Sequence, residues 1–555
     1  MAENIREIIL DTLLALEREE EYSHRLIKAV LDKYNYLEER DKAFFKRVAE
    51  GSLERQLELD YYLNQYSKIP VKKMRSLIRC LLRMSVYQVL YMDSVPDSAV
   101  CNEACKLAAK RGFQSLKGYV NGILRTIARQ KEQLPFPDKD KEPVRFLSVK
   151  YSMPEWLVEL WLDEYGWQIT ATLLEGLMEI HPVSLRFVST MPEAEREELC
   201  SRMQEQGVQL SQSKYLPYVY LLKQLGTAEG VSALPGFEEG AFTVQDVSSA
   251  FAVEAAGIRE GDFVIDVCAA PGGKSILAGE KAGSRKAFSQ DCGNPSVQLQ
   301  KEGTLQREEK PQQEEVSWQE KEPQKEEKSQ QEGEARQEKE PQKEEKSQPE
   351  KELQQKGKPQ QEGRMQGRVL ARDISEEKIA FIEENIQRMK VSNIETEVFD
   401  AAQTDESLAG KADVVLLDVP CSGLGVIGKK RDIKYHMTKE KMASLSELQK
   451  QIARASARYV KPGGILLYST CTIHREENQA MVRFFTQELD FVPVSLEEVL
   501  PNAVLVQKKR IEKEMCKAGK EPAIKLTEEE NDACIQFLPG YMEADGFFIA
   551  KFRRK

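Results

Sequence analysis

The chain of 555 residues has only four histidines and ten cysteines, and no two cysteines form a Cys-x-x-Cys pair. Cys101 and Cys105 are four apart, which is not the spacing of a zinc knuckle, so no metal site is expected. Cysteines this sparse also exclude a disulfide framework and fit the reduced thiols of a cytoplasmic protein. The N-terminus lacks a long apolar run: MAENIREIILDTLLALEREEEYS is a charged amphipathic helix, neither a secretory signal nor a membrane span. An overall positive field is missing as well. The net charge of -11 and pI near 5.4 argue against a protein that coats nucleic acid with its whole surface. Residues 301–363, with 13 Lys/Arg and 18 Asp/Glu, supply -5 of that charge. The rest is near balance and leaves room for local basic patches.

That same stretch is poor in apolar residues, holding only Leu305, Val316, Trp318, Ala335 and Leu353, and it contains KEPQKEEKSQ twice, from 321 and from 339. Prolines at 311, 323, 341, 349 and 359 interrupt any long helix, and there is little to pack. The reading is a disordered Glu/Lys/Gln-rich insertion over 284–366.

A chain of this length is expected to divide into several domains. Residues 1–130 carry helical periodicity almost throughout, as in IILDTLLAL, LIRCLLRMSVYQVLYM and YVNGILRTIAR, which predicts an all-helical domain. The mixture of proline and charge in 131–143 predicts a linker. Residues 144–239 pass from helical text (PEWLVELWLDEYG) to strand-like text (VSLRFVST), a small α/β domain. From 240 to 555 apolar strands alternate with helices: FVIDVC, RVLARD, ETEVFD, DVVLLDV, GGILLYSTC. That alternation predicts a doubly wound parallel sheet.

FVIDVCAAPGGKS sets a strand over 263–267 directly before a turn of small residues, Cys268, Ala269, Ala270, Pro271, Gly272 and Gly273, followed by Lys274. At the carboxyl end of a first strand, such residues let backbone approach a ligand. A phosphate loop is excluded, because GxxxxGK[ST] needs glycine where Cys268 stands. An acid ending the second strand, about 20 residues on, would bind ribose hydroxyls. Asp373 is that candidate only if 284–366 is removed, since it lies 107 residues after Asp266. Asp400 ends the third strand in the same way and is the candidate for an adenine; a lone acid there is more often a solvated cap.

DVVLLDVPCSG (413–423) and GGILLYSTC (463–471) each bring a cysteine, Cys421 and Cys471, to the ligand-binding edge. A free cysteine is ordinarily a small buried hydrophobe, but two just past strand ends beside a cofactor turn point to chemistry. Carbon 5 of a pyrimidine attacks a sulfonium methyl only after a thiolate has added to carbon 6, and a thiol with pKa of about 8.5 must be activated for that. Asp418 can hold the proton on ring nitrogen 3, and Cys421 is placed to help remove the carbon-5 proton.

CAAPGGK, LLDVPCSG and STC followed by EEN (476–478) resemble the NOL1/NOP2/Sun family of RNA cytosine-5 methyltransferases. The resemblance implies a Rossmann-like class I methyltransferase domain and S-adenosylmethionine as cofactor. That cofactor would be held by Cys268 to Lys274 and by Asp373, Asp400 and Asp418. It implies Cys471 as nucleophile and Cys421 in product release. MSVYQVLYMDSVPDSAVCNEA and YVNGILR (119–125) resemble a NusB-like RNA-binding domain, and DGFFIAKF (545–552) the family's closing strand. Together they imply a monomeric enzyme acting on 16S ribosomal RNA or a small-subunit assembly intermediate, with no DNA or membrane partner.

The pattern departs at LRFV (185–188) and at GKKRDIKYH (428–436), where Lys429, Lys430, Arg431 and Lys434 are candidates to grip phosphates, though a charge run is often only a solvated face. Three rivals remain. A transfer RNA target shares the catalytic domain, a DNA methyltransferase would use Cys421 as nucleophile, and a non-catalytic RNA-binding factor would keep the fold alone.

Overall fold

The computed structural model describes residues 4–18, 22–179, 182–283, 367–520 and 523–555. The expected insertion, 284–366, lies outside the described residues.

Seven α-helices, from Ile5–Arg18 to Lys117–Gln130, form the N-terminal unit, and no strand interrupts them. The first shows why they associate: Ile9, Leu10, Leu13 and Leu14 line one face and are buried with Phe45, Val48, Leu59, Leu63, Leu81 and Leu82 from the following helices. The segment expected to be a linker is packed. Phe136 sets its ring 6.4 Å from Tyr61 and 5.5 Å from Phe146.

Beyond it, strands β1 (Val183–Phe187), β2 (Gln209–Gln212), β3 (Val219–Gln224) and β4 (Phe242–Val244) form an antiparallel sheet in the order β2-β3-β1-β4. β4 leads straight into the helix Val247–Ala256, whose Ala250, Phe251 and Val253 pack under a second, larger sheet. The long helix Glu155–Met178 buries Leu157, Trp161, Ile169 and Leu173 in that same core.

The larger sheet has eight strands: β5 (Phe263–Asp266), β6 (Arg368–Asp373), β7 (Ile394–Val398), β8 (Ala412–Asp418), β9 (Val460–Thr470), β10 (Phe491–Pro493), β11 (Cys534–Phe537) and β12 (Phe547–Arg554). Its order is β10-β12-β9-β8-β5-β6-β7, with β11 also on β12. Strands β5 to β9 pair in parallel, as the alternation with helices predicts, while β12 runs antiparallel to β9. The near-continuous apolar run of β8 follows from burial on both faces. Val414 and Leu416 point into one core, Val415 and Leu417 into the other, the latter with Ile452 and Ala453 of the helix Lys439–Ala457. Parallel strands bring their carboxyl ends to one edge, and β5 sits between β8 and β6 where the order reverses, the place such sheets open a crevice.

At the opposite edge, the helix Gly273–Ala282 and β6 come together across the point where 284–366 departs. Asn393 Nδ2 donates to Gly279 O at 3.0 Å and to Gly367 O at 2.9 Å. A Cβ on Gly367 would stand 2.3 Å from Ala282 O, so the two ends of the segment adjoin.

Candidate active site

The turn after β5 is held from both neighbouring strands. Val267 N donates to Leu416 O at 3.2 Å and Ala269 N to Arg372 O at 2.8 Å. Gly272 closes it at φ +99, where a side chain would be strained and its Cβ would lie 3.2 Å from Ile382. Asp373 braces the same turn: one oxygen accepts from Ala270 N at 3.0 Å, the other from Ile374 N and Lys378 Nζ. Asp400 accepts from Ala402 N at 3.0 Å and lies part-exposed at the end of β7, capping its own turn. Asp418 is bound by Lys274 Nζ at 2.7 Å and by Ser469 Oγ at 2.7 Å. Cys268 is half-buried, and burial with the nearby Asp373 carboxylate pushes its thiol up, away from reactivity.

One residue that sequence reasoning used only as a ruler proves central. Asp266, fully buried at the end of β5, accepts from Ser275 Oγ at 2.6 Å through one oxygen and has no protein partner on the other. Burial, opposed by Ser275 and Lys274 and reinforced by Asp418 and Asp373, pushes its carboxyl up to about 6. Three carboxylates thus crowd around the turn with Lys274 among them, an excess of negative charge that suits a cationic cofactor such as S-adenosylmethionine. Among the described residues no group of three or more His, Cys, Asp or Glu could hold a metal ion.

The two cysteines meet. Cys421 and Cys471 place their sulfurs 3.1 Å apart, each part-exposed, although fifty residues separate them. They are not equivalent. The hydrogen bond from Cys421 holds the Cys471 thiol below its ordinary range against burial and Asp418, and the ammonium groups of Lys430 and Lys274 help. Cys421, bonded to Cys471, buried and facing Glu477, is pushed well up. The arrangement therefore favours a Cys471 thiolate accepting a hydrogen bond from a Cys421 thiol.

The turns that carry the cysteines are tied together by Glu477, which is fully buried in the EEN motif to which no role was attached. Its carboxylate accepts from Ser422 N at 2.8 Å, Ser422 Oγ at 2.5 Å and Gln449 Nε2 at 2.9 Å. Asn478 donates to Thr472 O at 3.0 Å and accepts from Thr470 Oγ1 at 2.6 Å, fixing the turn after β9.

The basic run 429–434 overturns its expectation as a phosphate grip. Lys429 pairs with Asp545 at 2.6 Å and Asp246 at 3.2 Å. Arg431 reaches Glu54 at 3.1 Å and Glu50 at 3.2 Å in the N-terminal unit. Lys434 is buried, donates to Glu54 O at 2.8 Å, and is pulled down to about 7 by desolvation. Lys429 stays part-exposed beside its two carboxylates, and Lys430 faces solvent, its charge acting on Cys471. Cation spacing in sequence does not distinguish a phosphate contact from an interdomain one.

A family model described as 16S rRNA methyltransferase RsmB/F matches residues 361–553, and one described as the NusB family matches residues 3–129. The chain is 31% identical over 559 residues to the probable ribosomal RNA small subunit methyltransferase B of Bacillus subtilis, covering 100% of this chain and 99% of that one. It is 26% identical to the ribosomal RNA small subunit methyltransferase B of Proteus mirabilis, over 82% of this chain and 85% of that one. The crystal structure of PH0851 shares the fold over 100% of both chains, at 20% identity and a TM-score of 0.67. With its N-terminal helices matching one model and strands β6 to β12 the other, and with 31% identity to a bacterial relative over its full length, the chain belongs to the RsmB/F family of ribosomal RNA small-subunit methyltransferases.

Proposed function

We propose that the protein transfers a methyl group from S-adenosylmethionine to carbon 5 of a cytosine in 16S ribosomal RNA, through a covalent adduct with Cys471. The observation that carries this reading is the contact of two thiols from separate strand ends, 3.1 Å apart beside the cofactor turn. The names of the relatives support small-subunit ribosomal RNA as the target. In this reading a cytoplasmic monomer engages that RNA, free or in an assembling small subunit, through its NusB-like helices.

The cofactor, when bound, supplies the methyl group on a sulfonium. The turn Cys268 to Lys274 would hold it, with Asp373 and Asp400 as the candidates for its ribose hydroxyls and adenine and Asp418 nearby. The protein's own work starts at Cys471, whose thiolate adds to carbon 6 of the cytosine and leaves carbon 5 electron-rich. Asp418, held by Lys274 and Ser469, is positioned to hold the proton on ring nitrogen 3. Once carbon 5 carries the methyl group, its proton must leave so that the carbon–sulfur bond breaks and Cys471 departs as thiolate. Cys421 promotes this release: once Cys471 is bound to carbon 6, Cys421 gives up its own proton to solvent and as thiolate accepts the carbon-5 proton. The cytosine has to leave its stack to reach the sulfur, since carbon 6 is covered in a stacked helix. The reverse assignment, with Cys421 as nucleophile, is disfavoured because Cys421 faces the Glu477 carboxylate while Cys471 faces Lys430 and Lys274.

Replacing Cys471 by Ser should abolish methyl transfer and leave cofactor binding intact, whereas Cys421→Ala should accumulate a protein–RNA adduct that survives a denaturing gel. An adduct in the Cys471 variant and none in the Cys421 variant would reverse the roles. Methylation of transfer RNA in preference to small-subunit RNA would move the substrate while keeping the chemistry.

A further inference from the structure

The loop that follows Cys421 joins two units. At one end Ser422 is bound by Glu477, Gly425 N donates to Cys471 O at 3.1 Å, and Gly546 N donates to Gly425 O at 3.0 Å. The packing there has no slack, since a Cβ on Gly425 would lie 1.9 Å from Gly546 O. At the other end the short helix Ile433–His436 and its flanks are sewn to the N-terminal helices. Ser23 N donates to Asp432 Oδ2 at 2.7 Å, Lys434 Nζ donates to Glu54 O at 2.8 Å, and Tyr435 Oη donates to Leu53 O at 2.9 Å. Arg431 adds ion pairs to Glu50 and Glu54.

These bonds differ from a loose surface contact. Asp432 and Lys434 are 3% and 1% exposed, so each has been taken out of water. Asp432 is held through Oδ2 alone, its Oδ1 having no partner, so the bond from Ser23 N is its one fixed tie. Two of the three acceptors or donors on the helical side are backbone atoms at the end of one helix, Glu39–Glu54, and the third opens another, Ser23–Lys33. The loop therefore reads the position of whole helices, not of mobile side chains. Its other end is bonded to the backbone of Cys471 itself.

We propose that residues 423–437 act as a strut through which the NusB-like unit sets the geometry of the cysteine pair, with Asp432, Lys434 and Tyr435 as positioning residues. The inference rests on the reading of Cys471 as nucleophile. It assigns the helical unit a part in the chemical step as well as in holding RNA. An RNA that shifts the helices Ser23–Lys33 and Glu39–Glu54 changes the set of the cysteines, so engagement at a distance is felt where the methyl group is transferred.

The test uses the full chain carrying Asp432→Ala, Lys434→Met or Tyr435→Phe, with Asp432→Asn as the conservative partner that keeps an oxygen for Ser23 N. Cofactor affinity, RNA affinity, kcat and the rate of Cys471 alkylation by iodoacetamide at neutral pH are measured on each. The expected result is a kcat lowered by about tenfold to a hundredfold in Asp432→Ala and Lys434→Met, as for a small misplacement of reacting groups. Alkylation of Cys471 slows alongside it, both affinities hold, and Asp432→Asn restores the rate. Tyr435→Phe loses one hydroxyl and keeps the fold, so it gives the same split at smaller size even if the other variants unfold. Unchanged kcat and alkylation in Tyr435→Phe and Asp432→Ala, or a loss seen only in RNA affinity, overturns the strut and leaves a docking surface. Alkylation needs no RNA, so its outcome stands whether or not small-subunit RNA is the substrate.

Discussion

Asp266 shows what a single buried oxygen implies. Its folded-state pKa of about 6 lies above the value near 3.9 of an unfolded aspartate, so the ionised form is disfavoured by folding. The penalty is present above pH 6 and is relieved as pH falls from about 6 toward 4, because the folded state then binds the extra proton first. A cationic cofactor placed among Asp266, Asp373 and Asp418 favours the ionised carboxylate. Affinity for S-adenosylmethionine should therefore be level above pH 6 and weaken below it, by up to about tenfold per pH unit. Calorimetric titrations between pH 5 and 7 measure this, and Asp266→Asn should flatten the profile while raising the stability of the ligand-free protein at pH 8. A flat profile in the unaltered protein would remove Asp266 from the cofactor's field. The cysteines and Asp418 were legible in sequence because a strand end announces itself through the apolar run before it. Glu477 was not. The letters Glu-Glu-Asn do not say that Glu476 is exposed while Glu477 is fully buried under the Pro-Cys turn, since that depends on where residues fifty positions away return.

The elements meet through charges as well as apolar faces, and the sharpest case is the seam between the two sheets. Arg186 on β1 and Glu280 on the helix Gly273–Ala282 are both fully buried, with Arg186 Nη1 2.9 and 3.0 Å from the two carboxylate oxygens. Gln245 Oε1 accepts from Arg186 Nε and Ser189 N donates to Glu280, while Arg186 Nη2 has no partner. Removing one partner of such a pair strands a charge in a dry interior, so Arg186→Met should cost about 3–5 kcal/mol of unfolding free energy. The double variant Arg186→Met/Glu280→Leu should recover most of that, and urea unfolding curves would show it. Equal losses in the single and double variants would mean that the packing of β1 matters more than the charge. LRFV reads in sequence as strand-like text that departs from the family pattern, and nothing in it says which way Arg186 points. The structure turns that position inward, because the strand is covered on the arginine side by a helix from the other end of the chain's middle. The loop 428–436 conceals its partners for the same reason. Periodicity reports which face of an element is apolar, but an element that bridges two units carries cations whose partners lie hundreds of residues away.

At the scale of the whole molecule, the order of folded pieces was legible: helices to residue 130, a small α/β unit, then the alternation that ends in β12. The direction of β12 and the sharing of one core by Glu155–Met178 with the large sheet were not, because both are set by packing between distant segments. The interruption at 284–366 falls at the amino edge of the large sheet, opposite the turn and the cysteines. Loop closure costs only about 0.6 kcal/mol per doubling of length, so exchanging this segment for a short glycine-containing turn should raise stability by roughly 1–2 kcal/mol. Methylation should proceed at an unchanged rate. A shortened protein that binds cofactor yet no longer methylates ribosomal RNA would give the segment a part in RNA recognition. Since Asn393 clasps Gly279 and Gly367 side by side, the junction is also a seam at which the polypeptide should tolerate being opened, as co-expression and co-purification of two fragments would show. Two fragments ending at residue 283 and beginning at residue 367, expressed together, have what they need to reassemble around that asparagine. Along a lineage, the same clasp leaves the length of whatever is threaded between those glycines free to drift, with no change of strand register to restrain it.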